Sequence, residues 1–237
     1  MTFDARSKGH QPSGLLSGKF DALIFDFDGV LIDSEALGNA HLADYLTGIG
    51  HAMSRQEAMT RFMGLSGRSF IDAIETHIGQ PLGEDFYAAR AEEDARVMSQ
   101  GIDAVAGAVA FVRALPADLP KAIASSSSTA WIARHLDHIG LRDAFGDHIY
   151  SGKEHVAHGK PAPDLYLHAA RAIGVDITRA AILEDSVVGA TGAVASGGYV
   201  IGFCGGSHCA PDHAERLRAL GVAAIAADFT EVAALLA

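Results

Sequence analysis

Cysteine is nearly absent from this sequence: Cys204 and Cys209 are the whole complement of its 237 residues. Two such thiols exclude a disulfide-built scaffold. With His208 and His213 beside them they match none of the usual zinc-ligand spacings, so the segment reads as reduced thiols in a Gly-rich loop. Positive charge is also scarce, with 18 Lys and Arg against 29 Asp and Glu and a net charge of −11. No overall field draws such a chain to nucleic acid or to an anionic membrane, and an anionic ligand needs a locally built site. Apolar runs never approach the roughly 20 residues that span a bilayer, and Leu15-Leu16 is too short for the apolar core of a secretory leader. A cytoplasmic location is expected, with no obligate protein partner.

What is present is enough apolar residue, 49% of the composition, to bury a large core. Residues 1–18 carry Gly, Ser, Pro and scattered charge without periodicity and read as a flexible tail. Ala22-Leu23-Ile24-Phe25 has the pattern of a buried parallel strand, and it ends in Asp26 and Asp28. Residues i and i+2 of an extended chain leave one face, so both acids would enter one pocket, where they need a cation or a shared proton. Gly29 lets the backbone turn directly beyond them.

Helical periodicity dominates from about Ser34 to Ile102, broken by glycines and Pro81. Beyond Ala104, short apolar runs alternate with helices: Ala122-Ile123-Ala124, His148-Ile149-Tyr150, Ala180 to Leu183, and Tyr199 to Phe203. This alternation predicts an α/β fold, a parallel sheet with helices on both faces, carrying an inserted helical body. The expected division is a core over 19–32 and 104–237 and an insert over 33–103.

Ligands of such sheets bind outside the carboxyl ends of the strands. There the sequence places Asp26 and Asp28, Ser125, and Glu184-Asp185, with Lys160 just ahead of Pro161 and Pro163. Each has an ordinary structural reading as well: a helix cap for Ser125, a surface charge for Lys160, loop acids for Glu184 and Asp185. Their joint placement is what points to a site.

With Phe25-Asp26-Phe27-Asp28-Gly29-Val30-Leu31-Ile32-Asp33-Ser34-Glu35, Ser125, Gly159-Lys160-Pro161-Ala162-Pro163-Asp164 and Glu184-Asp185-Ser186-Val187-Val188-Gly189 in this order, the chain resembles the haloacid dehalogenase superfamily. It is similar in particular to the β-phosphoglucomutase-like phosphatases with a helical cap. The resemblance implies a Rossmann-like core, a cap inserted after the first strand, and Mg²⁺-dependent hydrolysis of a phosphate monoester through an aspartyl-phosphate. Asp26 would be the nucleophile and Asp28 the general acid and base. Asp26, the Asp28 carbonyl and Asp185 would be Mg²⁺ ligands, with Glu184 acting through a water. Lys160, Ser125 and an amide near Ser126 would neutralise the transferring oxygens. The expected substrate is a small phosphorylated metabolite, a sugar, polyol or sugar-acid phosphate. Arg61, Gly64 and Arg68 are the cap residues expected to reach it.

Related chemistries fit less well. Dehalogenases typically lack the second acid of the first motif, which is Asp28 here. Phosphonatases need a cap lysine, and none occurs between Lys19 and Lys121. A β-phosphoglucomutase-like phosphotransferase would carry a histidine at Gly38, though His41 lies one turn further along. A non-enzymatic phospho-receiver would place its acidic pair on the first strand and have no helical insert.

Overall fold

The structure is a computed structural model that describes residues 18–62, 65 and 67–237. All of the expected tail at 1–18 except Gly18, and the expected substrate contact Gly64, lie outside the described residues.

β1 (Ala22–Phe25) is followed by four helices, α1 (Ser34–Gly48), α2 (Arg55–Phe62), α3 (Gly67–Ile78) and α4 (Glu84–Gln100). The chain then alternates. α5 (Ala108–Ala114), β2 (Lys121–Ser125), α6 (Thr129–His138), α7 (Arg142–Phe145), β3 (Ile149–Ser151) and α8 (Asp164–Ala172) come first. β4 (Ala180–Glu184), α9 (Val187–Ser196), β5 (Tyr199–Phe203), α10 (His213–Ala219), β6 (Ala224–Ala226) and α11 (Phe229–Leu236) complete it. The six strands form one sheet in the order β3-β2-β1-β4-β5-β6, every neighbouring pair parallel.

The strands β1 to β4 are buried throughout on both faces, which is why these runs are largely apolar rather than alternating, while the edge strand β6 is only partly covered. Leu23, Phe25, Ile123, Leu183 and Ile201 pack with α5, α6 and α11 on one face. Ala22, Ile24, Ala122, Ala124, Ile182 and Val200 pack with α8 and α9 on the other. Complete burial of each large side chain contributes about 1.5–3 kcal/mol, and Leu23, Ile24 and Phe25 have no exposure at all.

The helices α1 to α4 share an apolar cluster of their own, built from Leu42, Leu46, Phe62, Ile74, Ile78 and Phe86 among others. The two chain segments that join them to the sheet lie side by side. The Asp33 amide donates to the Asp103 carbonyl at 3.0 Å and the Val105 amide to the Leu31 carbonyl at 3.1 Å.

Strand order reverses between β1 and β4, and a crevice outside the carboxyl ends follows from that reversal. Register does the rest. Phe25 pairs with Leu183 and with Ile123, so Asp26, Ser125 and Glu184 emerge together at one end of the sheet.

Candidate active site

The crevice is a cavity of about 880 Å³ whose floor includes Asp26, Asp28, Ser125, Lys160 and Asp185. Asp26 continues β1, its amide donating to the Leu183 carbonyl at 2.9 Å. Its carboxylate accepts from Lys160 Nζ at 2.5 Å, and the same ammonium donates to Glu184 Oε2 at 2.8 Å. Only 4% of the Lys160 side chain is exposed. Burial works to lower its pKa, but Asp26 and Glu184 outweigh that and hold it well above the usual lysine value.

Glu184, expected to act through a metal-bound water, is also tied into the protein on both of its oxygens. Its Oε2 also accepts from the Tyr166 hydroxyl at 2.6 Å, and its Oε1 accepts from the Ser186 hydroxyl at 2.7 Å and the Ser186 amide at 3.1 Å. Both oxygens are therefore occupied, and the side chain anchors Lys160. A Cβ on Gly189 would overlap this carboxyl, so a residue without a side chain is required there.

Asp28 sits just before the turn at Gly29, whose φ of +83° lies in the left-handed region that glycine enters without strain. The Asp28 carboxylate collects four donors: Ser127 Oγ at 2.7 Å, Ser34 Oγ at 2.9 Å, Trp131 Nε1 at 3.1 Å and Ser125 Oγ at 3.3 Å. Capping of α6 falls to Ser128, which accepts from the Trp131 amide. That leaves Ser125 and Ser127 to face the site, while Ser126 lines the cavity.

Asp185 is 2% exposed. His208 Nε2 lies 2.8 Å from its Oδ2 and His213 Nε2 2.6 Å from its carbonyl oxygen, while Oδ1 is buried without a partner among the described residues. Carboxylate oxygens of Asp26, Glu184 and Asp185 lie within 4.8 Å of one another. Burial and the Glu184 charge push the Asp185 carboxyl well above the usual range. Burial, then Glu184, does the same to Asp26 against the pull of Lys160. Three buried carboxyls share one ammonium, so their full ionisation would leave negative charge for a cation to offset, and Asp185 Oδ1 has no protein partner among the described residues. Oxygen donors of this kind suit a hard divalent cation.

The wall above the floor comes from the helical body and includes Glu35, His41, Phe70, Arg90 and Glu93. Burial, then Asp185 and Asp28, raises the Glu35 carboxyl to about 7. The expectation for Arg61 and Arg68 needs correction, since neither lines the cavity. Arg61 is exposed on α2. Arg68 is exposed on α3 and donates to Asp72 at 2.7 Å one turn along its own helix, a pairing that helical spacing favours. Arg90, on α4, faces the cavity instead.

The Gly-rich segment is also more than a loop with idle thiols. Cys204 and Cys209 are free, but His208 and His213 are buried against Asp185. Trp131 carries no local mark, and His208 and His213, noted in the sequence only beside the cysteines, gave no sign of their link to Asp185; each is recruited by contacts spanning many residues of sequence.

A family model described as "haloacid dehalogenase-like hydrolase" matches residues 20–197. The chain belongs to that family. Among curated proteins, it is 29% identical to the 6-phosphogluconate phosphatase of Escherichia coli K12, over 81% of this chain and 86% of that one. It is 30% identical to the fructose-1-phosphate phosphatase of the same strain, over 76% and 94%. Among solved structures, a haloacid dehalogenase family hydrolase from Deinococcus radiodurans, with bound phosphate and sodium, superposes with a TM-score of 0.80 at 31% identity, covering 93% of this chain and 99% of that one. This member of the family is a phosphoric monoester hydrolase. Among the described residues no helix is long and apolar enough to cross a membrane.

Proposed function

We propose that the protein is a Mg²⁺-dependent phosphatase that hydrolyses a small phosphorylated sugar, polyol or sugar acid through an aspartyl-phosphate at Asp26. The observation that carries this is the buried Asp26–Lys160 pair on the floor of a cavity with an excess of carboxylates. The similarity to phosphatases of 6-phosphogluconate and fructose 1-phosphate supports the substrate class.

Asp26 attacks phosphorus while the ester bond to the leaving oxygen breaks, and Asp28 gives that oxygen its proton. Asp28 then accepts a proton from the water that attacks the aspartyl-phosphate, releasing inorganic phosphate and restoring Asp26. Lys160 and the Ser125 hydroxyl offset charge on the oxygens in transfer. Ser34, Ser127 and Trp131 hold Asp28 in one orientation. Asp26, Asp185 and the Asp28 carbonyl would hold Mg²⁺, which when bound supplies the positive charge that lets two anions meet.

We further propose that the helices α1 to α4 act as a cap over 33–103. They exclude bulk water from Lys160, and Arg90 presents a cation to the leaving group. A transferase role is less favoured: Gly38 stands where a mutase would carry histidine, and His41 is engaged by Glu93 and Arg96.

The test is phosphate release from a panel of hexose phosphates, hexitol phosphates and 6-phosphogluconate. Turnover is expected with Mg²⁺ and lost with EDTA or with Asp26→Asn. Undiminished turnover by Asp26→Asn would end the covalent mechanism. Conversion of a hexose 1-phosphate to the 6-phosphate would establish the transferase.

A further inference from the structure

His208 and His213 take no part in the chemistry above, yet both meet Asp185. His208 is 2% exposed and His213 4%. One ring engages the Asp185 carboxylate and the other its backbone carbonyl, and the two rings stand 5.8 Å apart at 88°. The ring of His208 fits only because glycines surround it. A Cβ on Gly206 would lie 2.5 Å from its Nδ1, and one on Gly29 would lie 2.9 Å from its Cε1. Real Cβ atoms do not approach so closely. The ring is therefore locked in orientation, and the carboxylate it holds is locked with it.

The His213 contact requires hydrogen on Nε2, since a backbone carbonyl can only accept, and the ionised Asp185 that would bind a cation requires the same of His208. A carboxylate tethered through Oδ2, on a backbone tethered at its carbonyl, has one remaining direction for Oδ1, the atom left buried and unpartnered. We propose that His208 and His213 are positioning residues: they clamp Asp185 so that Oδ1 is pre-aimed at a divalent cation. This rests on the reading of the acidic cluster as a cation site. Partners that orient a ligating carboxylate typically change metal affinity about 10–100-fold.

Cys209 Sγ lies 3.5 Å from His208 Nε2, and the three side chains His208, Cys209 and His213 could in principle hold a softer metal themselves. Ligation through His208 Nε2 would strip that nitrogen of its hydrogen and abolish the bond to Asp185, so a site of that kind opposes the clamp.

The test is Mn²⁺ binding to the metal-free full-length chain, without substrate, followed by electron paramagnetic resonance. His208→Ala should weaken binding about 10-fold or more. His208→Gln restores an N–H donor and should recover most of the loss. Gly206→Ala displaces the ring without removing it and should resemble His208→Ala. In steady-state assays the Mg²⁺ activation constant should rise far more than kcat at saturating Mg²⁺ falls. Thermal melts identify any variant that does not fold, in which case Gly206→Ala and His208→Gln carry the comparison. A folded His208→Ala that binds Mn²⁺ as tightly as the parent overturns the proposal, as does a parent that binds no Mn²⁺. Co²⁺ uptake with a thiolate charge-transfer band that vanishes in Cys209→Ser also overturns it, since the cluster would then be a metal site itself. Weakened Mn²⁺ binding in a protein that hydrolyses no phosphate ester would leave the clamp standing and remove the proposed function.

Discussion

Replacing Lys160 with methionine keeps most of the side chain's length and removes its charge. The ammonium is the cation shared by Asp26 and Glu184, at 2.5 and 2.8 Å, in surroundings that leave it 4% exposed. Breaking a buried ion pair by deleting one partner costs about 3–5 kcal/mol, because the other charge is left uncompensated. Glu184 keeps its bonds from Tyr166 and Ser186, so the lower end, about 3 kcal/mol, is expected. For a chain of this size that lowers Tm by about 6–12 °C.

The deficit should depend on pH. Lys160 lowers the Asp26 pKa against burial, so in Lys160→Met the folded state holds that proton to higher pH. A folded state that binds more protons than the unfolded one loses stability as pH rises. The gap between parent and variant therefore widens from pH 5 to pH 8 in EDTA. Activity should fall by about 100-fold or more, as for other groups aimed at transferring charge. Urea denaturation at both pH values, alongside kcat, measures all three effects. A variant as stable as the parent, or a gap that narrows toward pH 8, would refute the reasoning.

Asp28→Asn should slow both formation and breakdown of the aspartyl-phosphate by about 100-fold or more, with p-nitrophenyl phosphate hurt least in the first step; identical losses for it and a sugar phosphate in single-turnover runs would remove the leaving-group role. Trp131→Phe deletes one of four donors to Asp28 while keeping a ring against His135. A bond to a charged acceptor contributes about 1.5 kcal/mol at the low end, so kcat should drop about 10-fold; a change under twofold would show that Trp131 does not orient Asp28. Glu35, raised to about 7, stays protonated in the folded state while the unfolded chain ionises near its ordinary value, so the metal-free protein should lose about 3 kcal/mol between pH 4.5 and 7. Glu35→Gln should flatten that part of the stability profile, and an unchanged slope would count against the burial of this carboxyl. Arg90→Ala should lower kcat/KM for the best sugar phosphate about 10-fold and spare p-nitrophenyl phosphate; equal losses on both would place Arg90 outside leaving-group recognition.

The sequence by itself determined the sheet and the floor of the site, because these depend on short-range pattern. Apolar runs such as Ala22 to Phe25 can be satisfied only by burial on both faces. Parallel strands then bring their terminal residues to one end, so Asp26, Ser125, Glu184 and Asp185 could be grouped before any coordinates. The short strand Ala224–Ala226 escaped notice, as three residues carry too little pattern. Tertiary structure alone decided what surrounds those groups. Trp131 reaches Asp28 across 103 residues of sequence and His213 reaches Asp185 across 28. Neither spacing has a local signature. Arg90 rather than Arg61 or Arg68 faces the cavity because the docking of the helices sets which side of each looks down, and helical periodicity marks an apolar face without saying which polar residue meets the site. Tyr166 likewise reaches Glu184 only once α8 packs against the sheet, whereas Ser186 meets the same carboxylate from two residues along the chain.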